Sequence, residues 1–425
     1  MNSKKKHIVI IAQKFPPHSN VGGRRPYFFS KYLSELGYKV SVITGNYPIK
    51  KNMTWVTDLS FLKIIKLDFT ALATKKKGNQ IFFYFLYEFL KHSRYSILNR
   101  ISWKIGEFFL PLDFNDRLDF NEYDLANKIG KIDYIIATGG PWSMFEYGVR
   151  LKSVTNAKLI LDYRDPWNDI IGVGLNELTY YGLFNNYIKR RKLKEEKYVL
   201  LNSDFVISVS KEIINNILKI SNFKKIGLIE NGYDLNEFKL KKTNSLNYEI
   251  LYFGILRKEQ SIELLLKALK IINNPKIILN LIGVNISQKH VLNKINAYRK
   301  FIKIKCTNYV NKNIVSNYIS SASLLVHFSY GNIKGIPSSK LYQYLSLNKP
   351  ILLVSNTNNI MEKIIRETNT GEICKTPEKI ADYILNSYSK WENNQTLERK
   401  VNKEKLAFYS FKNQVDLLDK IISDL

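Results

Sequence analysis

At 425 residues the chain is too long for one ordinary core and suits two domains, and its 45% hydrophobic and 24% charged content is that of a soluble globular protein. Lys plus Arg exceed Asp plus Glu by 28, which favours anionic partners such as lipid head groups or phosphorylated substrates, although a general bias spread over a solvated surface gives the same excess. The two cysteines are far apart and have no neighbour at metal-ligand spacing, so a disulfide framework and a zinc site are poorly supported; no run reaches bilayer length, and no RNA-binding or helix-turn-helix pattern points to nucleic acid.

The N-terminus has a six-residue apolar stretch, too short for a signal-peptide core, and reads as a first strand from His7 to Ala12. A reducing, cytoplasmic setting is expected. QKFPPHSNVGGRRP follows, then a helical stretch from Tyr27 to Leu36 closed by Gly37, then a strand KVSVIT. This is a strand-loop-helix-strand unit of the doubly wound kind, in which ligands bind beyond the carboxyl ends of the strands. Gly22 and Gly23 let backbone approach a bound group, and Arg24 and Arg25 bring charge beside it; a glycine pair before a helix also serves as a plain turn.

From Phe61 to Pro111 aromatic and basic residues interleave, which suits an interfacial helix on an anionic membrane, a greasy acceptor groove, or a core helical pair with a solvated basic face. A strand from Asp133 to Thr138 leads into GGPWSMFEYG. A second, from Lys158 to Asp162, delivers Arg164, Asp165 and Trp167 to its carboxyl end. A charged helix around Lys189 to Leu200, a strand from Asp204 and a strand ending at Asn231 and Gly232 complete the first alternating region.

FKLKKTNSLN, Phe238 to Asn247, reads as a linker, after which alternation restarts with EILYFG, SIELLLKALKII and KIILNLIG. The strand from Ser323 to Phe328 is followed by a turn-rich segment, a helix starting near Ser339 and a strand from Ile351. Pro337, Ser338 and Ser339 supply helix-start chemistry, Lys340 sits in the first turn, and Gln343 lies on the same face. Such a helix start favours a phosphate, and is equally the start of an ordinary amphipathic helix.

FPPHSNVGGRRP, LDYRDPW, IENGYD, FGILRKEQSIELLLKAL and GIPSSKLYQYLSLNKPIL, in this order and each at a strand end, resemble a family 4 retaining glycosyltransferase of the GT-B fold, of the bacterial polysaccharide, O-antigen and capsule assembly type. The resemblance covers nearly the whole chain. It implies an α/β protein of two Rossmann-like domains facing each other across a cleft: an acceptor-binding domain over 1–238, a nucleotide-sugar-binding domain over 239–396, and a helical segment over 397–425 packing back on the first.

Carried onto this chain, the resemblance gives donor contacts to Gly22, Gly23, Arg24, Arg257, Lys258, Ser338, Ser339, Lys340 and Gln343, acceptor contacts to Arg164 and Trp167, and cleft carboxylates to Asp165 and Glu146. Where many members have an Arg and a Lys for the diphosphate, this chain has Ile255 and Gln260, with Arg257 and Lys258 as local substitutes. The family's paired glutamates fall on Gly335 and Gln343, and its first-domain histidine on Phe145. The implied activity is transfer of a sugar from a nucleotide-sugar donor to a lipid-linked or polysaccharide acceptor with retention, without metal or other cofactor, at the inner face of the plasma membrane. A sugar-nucleotide epimerase of the same fold and a catalytically silent nucleotide-sugar-binding protein remain as alternatives.

Overall fold

The computed structural model describes residues 6–18, 21–48, 58–69, 79–91, 96–110, 113, 115–167, 183–223, 225–243, 245–257, 259–284, 288–330, 337–355, 360–395 and 399–425. These form two compact units: one takes the described residues through Ile229 together with Leu417–Leu425, the other Glu230–Asp416.

The first unit is built on seven parallel strands: β1 (His7–Ile11), β2 (Lys39–Gly45), β3 (Lys63–Leu67), β4 (Tyr134–Thr138), β5 (Lys158–Tyr163), β6 (Phe205–Ser208) and β7 (Ile226–Leu228), in the order β3-β2-β1-β4-β5-β6-β7. HIVII and YIIAT are buried along their whole length, as expected of parallel strands covered on both faces. The order reverses between β1 and β4, whose register pairs Ile8 with Tyr134, so the two loops that follow these strands flank the switch point of the sheet. Helices α1 (Arg24–Glu35), α2 (Asn79–Lys91), α3 (Ser96–Phe109), α4 (Glu122–Ile129), α5 (Ser143–Ser153), α6 (Leu183–Leu201) and α7 (Lys211–Ile220) connect the strands. Local chemistry fixes several starts: the Asn121 side chain accepts from the amides of Tyr123 and Asp124, and Ser210 from that of Ile213.

The second unit has six parallel strands, β8 (Tyr248–Phe253), β9 (Ile277–Ile282), β10 (Lys303–Cys306), β11 (Leu324–Phe328), β12 (Ile351–Val354) and β13 (Gly371–Cys374), ordered β10-β9-β8-β11-β12-β13. Its switch point lies between β8 and β11. Successive residues alternate between two cores. Ile250, Tyr252, Val326 and Leu352 join one; Leu251, Phe253, Leu325 and Leu353 join the other. Each fully buried Leu or Ile contributes about 1.5–3 kcal/mol relative to exposure. The helices are α8 (Ile262–Ile272), α9 (Lys289–Tyr298), α10 (Lys312–Ser321), α11 (Ser339–Leu345), α12 (Ile360–Thr368), α13 (Pro377–Glu392) and α14 (Lys403–Phe408), and the last helix, α15 (Phe411–Ser423), begins in this unit and contributes its residues from Leu417 onward to the first. α8 ends where Asn273 takes a left-handed conformation. Within the first unit Tyr38 Oη donates to Asp419 Oδ1 at 2.7 Å.

Four elements differ from the sequence reading. α1 begins at Arg24, so Arg24 and Arg25 stand in its first turn rather than in the loop before it. α6 begins at Leu183, and β7 stops at Leu228, before Asn231. β3 was hidden in the aromatic-basic region because KIIKL is short and flanked by charge; the helices expected there are α2 and α3. Phe83 stacks on Phe109 at 3.6 Å between centroids and Tyr87 is fully buried, while Phe82, Phe85 and Phe89 point outward with Phe89 80% exposed. Among the described residues no helix is long and apolar enough to cross a membrane, and no three His, Cys, Asp or Glu side chains gather as metal ligands would.

Candidate functional site

In the second unit β8 runs out at Gly254, whose φ of +123° is a conformation L side chains rarely adopt. The turn beyond it is fixed from within: Tyr252 Oη donates to the Ile255 carbonyl at 3.0 Å, and the Arg257 amide donates to Gln260 Oε1 at 2.9 Å. Gln260 Nε2 in turn donates to the carbonyl of Phe328, the last residue of β11, at 3.4 Å. Gln260, which stands where a phosphate-binding Lys is common in the resembled family, thus ties the two strand ends of the switch point together.

Lys340 reaches back over this turn from α11. Its methylene end lies against Gly254, where an added Cβ would come 1.9 Å from Cε, and its Nζ stands 5.9 Å from the centre of the Tyr252 ring. Burial, and then the charge of Arg257, pull its pKa down to about 8. Among the described residues no carboxylate ion-pairs with Lys340 or Arg257. Beneath them His327, fully buried on β11, packs parallel to Tyr252 and edge-on to Tyr344. Burial, then the charge of Lys340, hold its pKa near 3, so the ring is neutral; neither nitrogen has a hydrogen-bond partner among the described residues. Two cations with no ion-pair partner among the described residues thus stand over a neutral aromatic floor, an arrangement chemically suited to an anion.

Ser338 is the residue before α11, but its hydroxyl caps no amide; Tyr330 Oη donates to it at 3.4 Å. Ser339 is half-buried at the first helical position. With only seven residues α11 carries little dipole, and Lys340 is the main positive charge at its start. Gln343 is one turn on, and its Nε2 donates to Glu237 Oε1 at 2.7 Å, leaving its Oε1 as an acceptor. Lys258 and Gly335 lie outside the described residues.

In the first unit Gly22 and Gly23 form a 3₁₀ turn, packed so tightly that a Cβ on Gly23 would meet the Lys14 carbonyl at 3.2 Å. Arg164 donates through Nη1 to the Gly22 carbonyl and through Nη2 to that of Gly140, joining the loops after β1 and β4. Arg25 was expected to offer its charge to a ligand. Instead it is buried and binds Asp162 through Nε at 2.9 and 3.0 Å, and its Nη2 donates to the Ile229 carbonyl at 2.8 Å, so its charge is neutralised inside the unit. Arg24 is buried too, its guanidinium 5.6 Å from the centre of the Phe28 ring.

Asp165 is exposed, 3.6 Å from Arg164 Nε. Glu146 accepts two hydrogen bonds from Arg117 Nη2, at 2.7 and 2.9 Å. Trp167 is buried and stacks on Trp142 with 5.1 Å between ring centres. Phe145 is fully buried in the core, 4.7 Å from the Tyr163 ring. Asp162, Gly254, His327 and Glu237 were not singled out from the sequence; the glycine closing EILYFG was the one legible cue.

Residues 236–405 match the model of a family described as glycosyl transferases group 1. Among solved structures, sucrose-phosphate synthase from Thermosynechococcus elongatus aligns over 99% of both chains with a TM-score of 0.62 and 15% identity. Anabaena HepE, solved with UDP and glucose, aligns over 99% of this chain and 100% of its own, with a TM-score of 0.59 and 10% identity. The fold is GT-B. A variant of S. aureus TarM, solved with fondaparinux, alpha-GlcNAc-glycerol and UDP, shares this GT-B fold over 98% of this chain and 99% of its own, with a TM-score of 0.58 and 11% identity. Compared by sequence with curated proteins, the chain has no match. The matched stretch takes in two of the five motifs, FGILRKEQSIELLLKAL and GIPSSKLYQYLSLNKPIL, and with them the whole Lys340 site of the GT-B second unit.

Proposed function

We propose that the chain is a glycosyltransferase that moves a sugar from a nucleoside-diphosphate donor to a lipid-linked or polysaccharide acceptor, with retention, in assembly of a cell-surface polysaccharide. One observation carries this reading: the cations Lys340 and Arg257, which have no ion-pair partner among the described residues, stand together at the switch point of the second sheet. As the bond from sugar to diphosphate lengthens, positive charge grows on the sugar and negative charge on the departing phosphate. Cations already fixed there, one of them partly desolvated, stabilise that charge more than they stabilise the ground state. Gln343 Oε1 is free to accept from a ribose hydroxyl, with Glu237 holding the amide. Ser338 and Ser339 line the same helix start. No metal is required for this charge stabilisation. Gly22, Gly23 and Arg24 are proposed as further donor contacts, and Arg164, which braces the Gly22 turn, and Trp167 as acceptor contacts. Asp165 is the exposed carboxylate proposed to meet hydroxyl groups. The outward rings of α2 and α3 suit peripheral contact with an anionic membrane from the cytoplasmic side.

The deciding experiment incubates the protein with a panel of nucleotide sugars and lipid-linked saccharides and measures nucleoside-diphosphate release, with the anomeric configuration of the product read by NMR. Release that depends on Lys340 and Arg257 supports the reading; inverted product, or no release with any pair, overturns it. A second reading, donor binding without turnover, is favoured by Phe145, a core residue where the resembled family commonly has a histidine. Donor binding without release across the same panel selects it.

A further inference from the structure

A cavity of about 1040 Å³ opens in the first unit beside the stacked indoles of Trp142 and Trp167. α6 forms one wall. Tyr187, Arg190, Lys194 and Tyr198 recur along that helix at spacings of three and four and present one face to the cavity. Among the described residues five cationic side chains and two carboxylates line it, a net charge of +3. Glu146 pairs with Arg117 at 2.7 Å and Glu195 pairs through Oε1 with Arg191 at 3.0 Å, its Oε2 having no hydrogen-bond partner among the described residues. Arg190 and Lys194 have no ion-pair partner among the described residues, although like charges one turn apart repel. Trp167 is 5% exposed and its Nε1–H has no acceptor among the described residues, a group that a ligand atom would satisfy.

The cavity adjoins apolar surface. The Phe108 ring of α3 lies 4.5 Å from that of Tyr187, and Arg191 donates to the Phe108 carbonyl, while α3 also exposes Ile97, Ile101 and Trp103. Cations and a free indole N–H suit a phosphate. Ring walls leading to an apolar helix face suit a hydrocarbon chain attached to it.

We propose that this cavity binds the head of a single-chain lipid phosphate, with Arg190 and Lys194 on the phosphate oxygens, Trp167 Nε1 donating to one of them, and the chain leaving over the aromatic wall toward α3. Naming this ligand as the acceptor end of a sugar transfer rests on the proposed function; the binding itself does not.

The test titrates the full chain with farnesyl phosphate below its aggregation concentration, following tryptophan fluorescence. Farnesyl phosphate binds at least tenfold more tightly than farnesol or inorganic phosphate. Exchanging both exposed cations, as Arg190→Glu with Lys194→Glu, lowers its affinity at least tenfold, whereas UDP affinity, measured in parallel, stays the same. Trp167→Phe keeps the ring and removes the donor, and weakens farnesyl phosphate several-fold. Equal binding of farnesol, or an affinity indifferent to the charge exchange, overturns the assignment. Vesicles of dioleoyl phosphatidylglycerol offer the same phosphate on a two-chain lipid; binding to these but not to monomeric farnesyl phosphate would make the region a bilayer contact and also overturn it. If farnesyl phosphate binds and UDP does not, the transfer reading fails while the cavity assignment stands; the opposite pattern separates them the other way.

Discussion

The side chain of Lys340 lies on the bare Cα of Gly254, closely enough that a Cβ there would sit 1.9 Å from Cε and 2.7 Å from Nζ. Gly254→Ala therefore does two things. At φ +123° it strains the backbone by on the order of 1–3 kcal/mol. It also drives the ammonium away from Arg257, because the lysine end is the part able to move. The expected result is a modestly lowered Tm with UDP affinity reduced roughly tenfold, about 1.4 kcal/mol. Calorimetric titration that found unchanged UDP affinity in a folded Gly254→Ala protein would remove Lys340 from the phosphate site.

The same lysine gives a pH signature. Its pKa is lowered to about 8 by burial and by Arg257, against about 10.4 in an unfolded chain. Between these values the unfolded state holds more protons than the native state, so this group makes stability rise with pH from 8 to 10.4; below 8 its full penalty is present. Lys340→Met should raise stability at pH 7 by on the order of 1 kcal/mol, allowing for the solvent the half-buried side chain still touches, and the gain should fade toward pH 10. Ligand binding runs the opposite way. UDP affinity of the parent protein falls as pH climbs past 8 and the ammonium is lost, while Lys340→Met binds weakly at every pH. Thermal melts and UDP titrations at pH 7, 8.5 and 10 check both, and a parent protein whose UDP affinity is flat over that range contradicts the assignment.

A buried pair in the first unit carries a structural prediction. Arg25 is only 3% exposed and Asp162 is fully buried, and removing one leaves the other charged without compensation. Arg25→Ala should cost about 3–5 kcal/mol, whereas a double replacement by apolar residues of similar volume should recover most of that loss. Denaturant unfolding distinguishes the two. An Arg25→Ala protein of near-normal stability would show that the charge reaches water instead.

The contrast between Arg25 and Lys340 shows what sequence could and could not tell. Both are cations at the start of a helix that follows a strand, and the motif treated them alike. Strand alternation, the doubly wound order and the start of α11 were legible because parallel strands read as apolar runs and helices as periodic ones. Partners were not: Asp162 lies 137 positions from Arg25, and Glu237 lies 106 from Gln343, so only the sheet order brings them together. Arg164 was read as an acceptor contact for the same reason, since its two carbonyl partners belong to loops far away in sequence. β3 failed differently. Its five residues include lysines at both faces of an edge strand, which blunts the apolar signal that exposes a central strand.

Gln343 stands where the resembled family commonly has a glutamate, and its neighbour explains why an amide suits this chain. Its Nε2 donates to Glu237 Oε1 at 2.7 Å, and Glu237 is 7% exposed. A glutamate here would set a second carboxylate against the first in a half-buried place, with no proton to share at neutral pH. Gln343→Glu should therefore destabilise the protein by about 1–3 kcal/mol at pH 7, the cost of a lost hydrogen bond to a charged group plus repulsion. The loss should shrink as pH falls below 5, where one carboxyl takes a proton and donates again. Gln343→Glu combined with Glu237→Gln swaps donor and acceptor and should restore most of the stability, giving a coupling of at least 1 kcal/mol in a double-mutant cycle. If the two substitutions add without coupling, the contact is incidental and the amide at 343 has another cause.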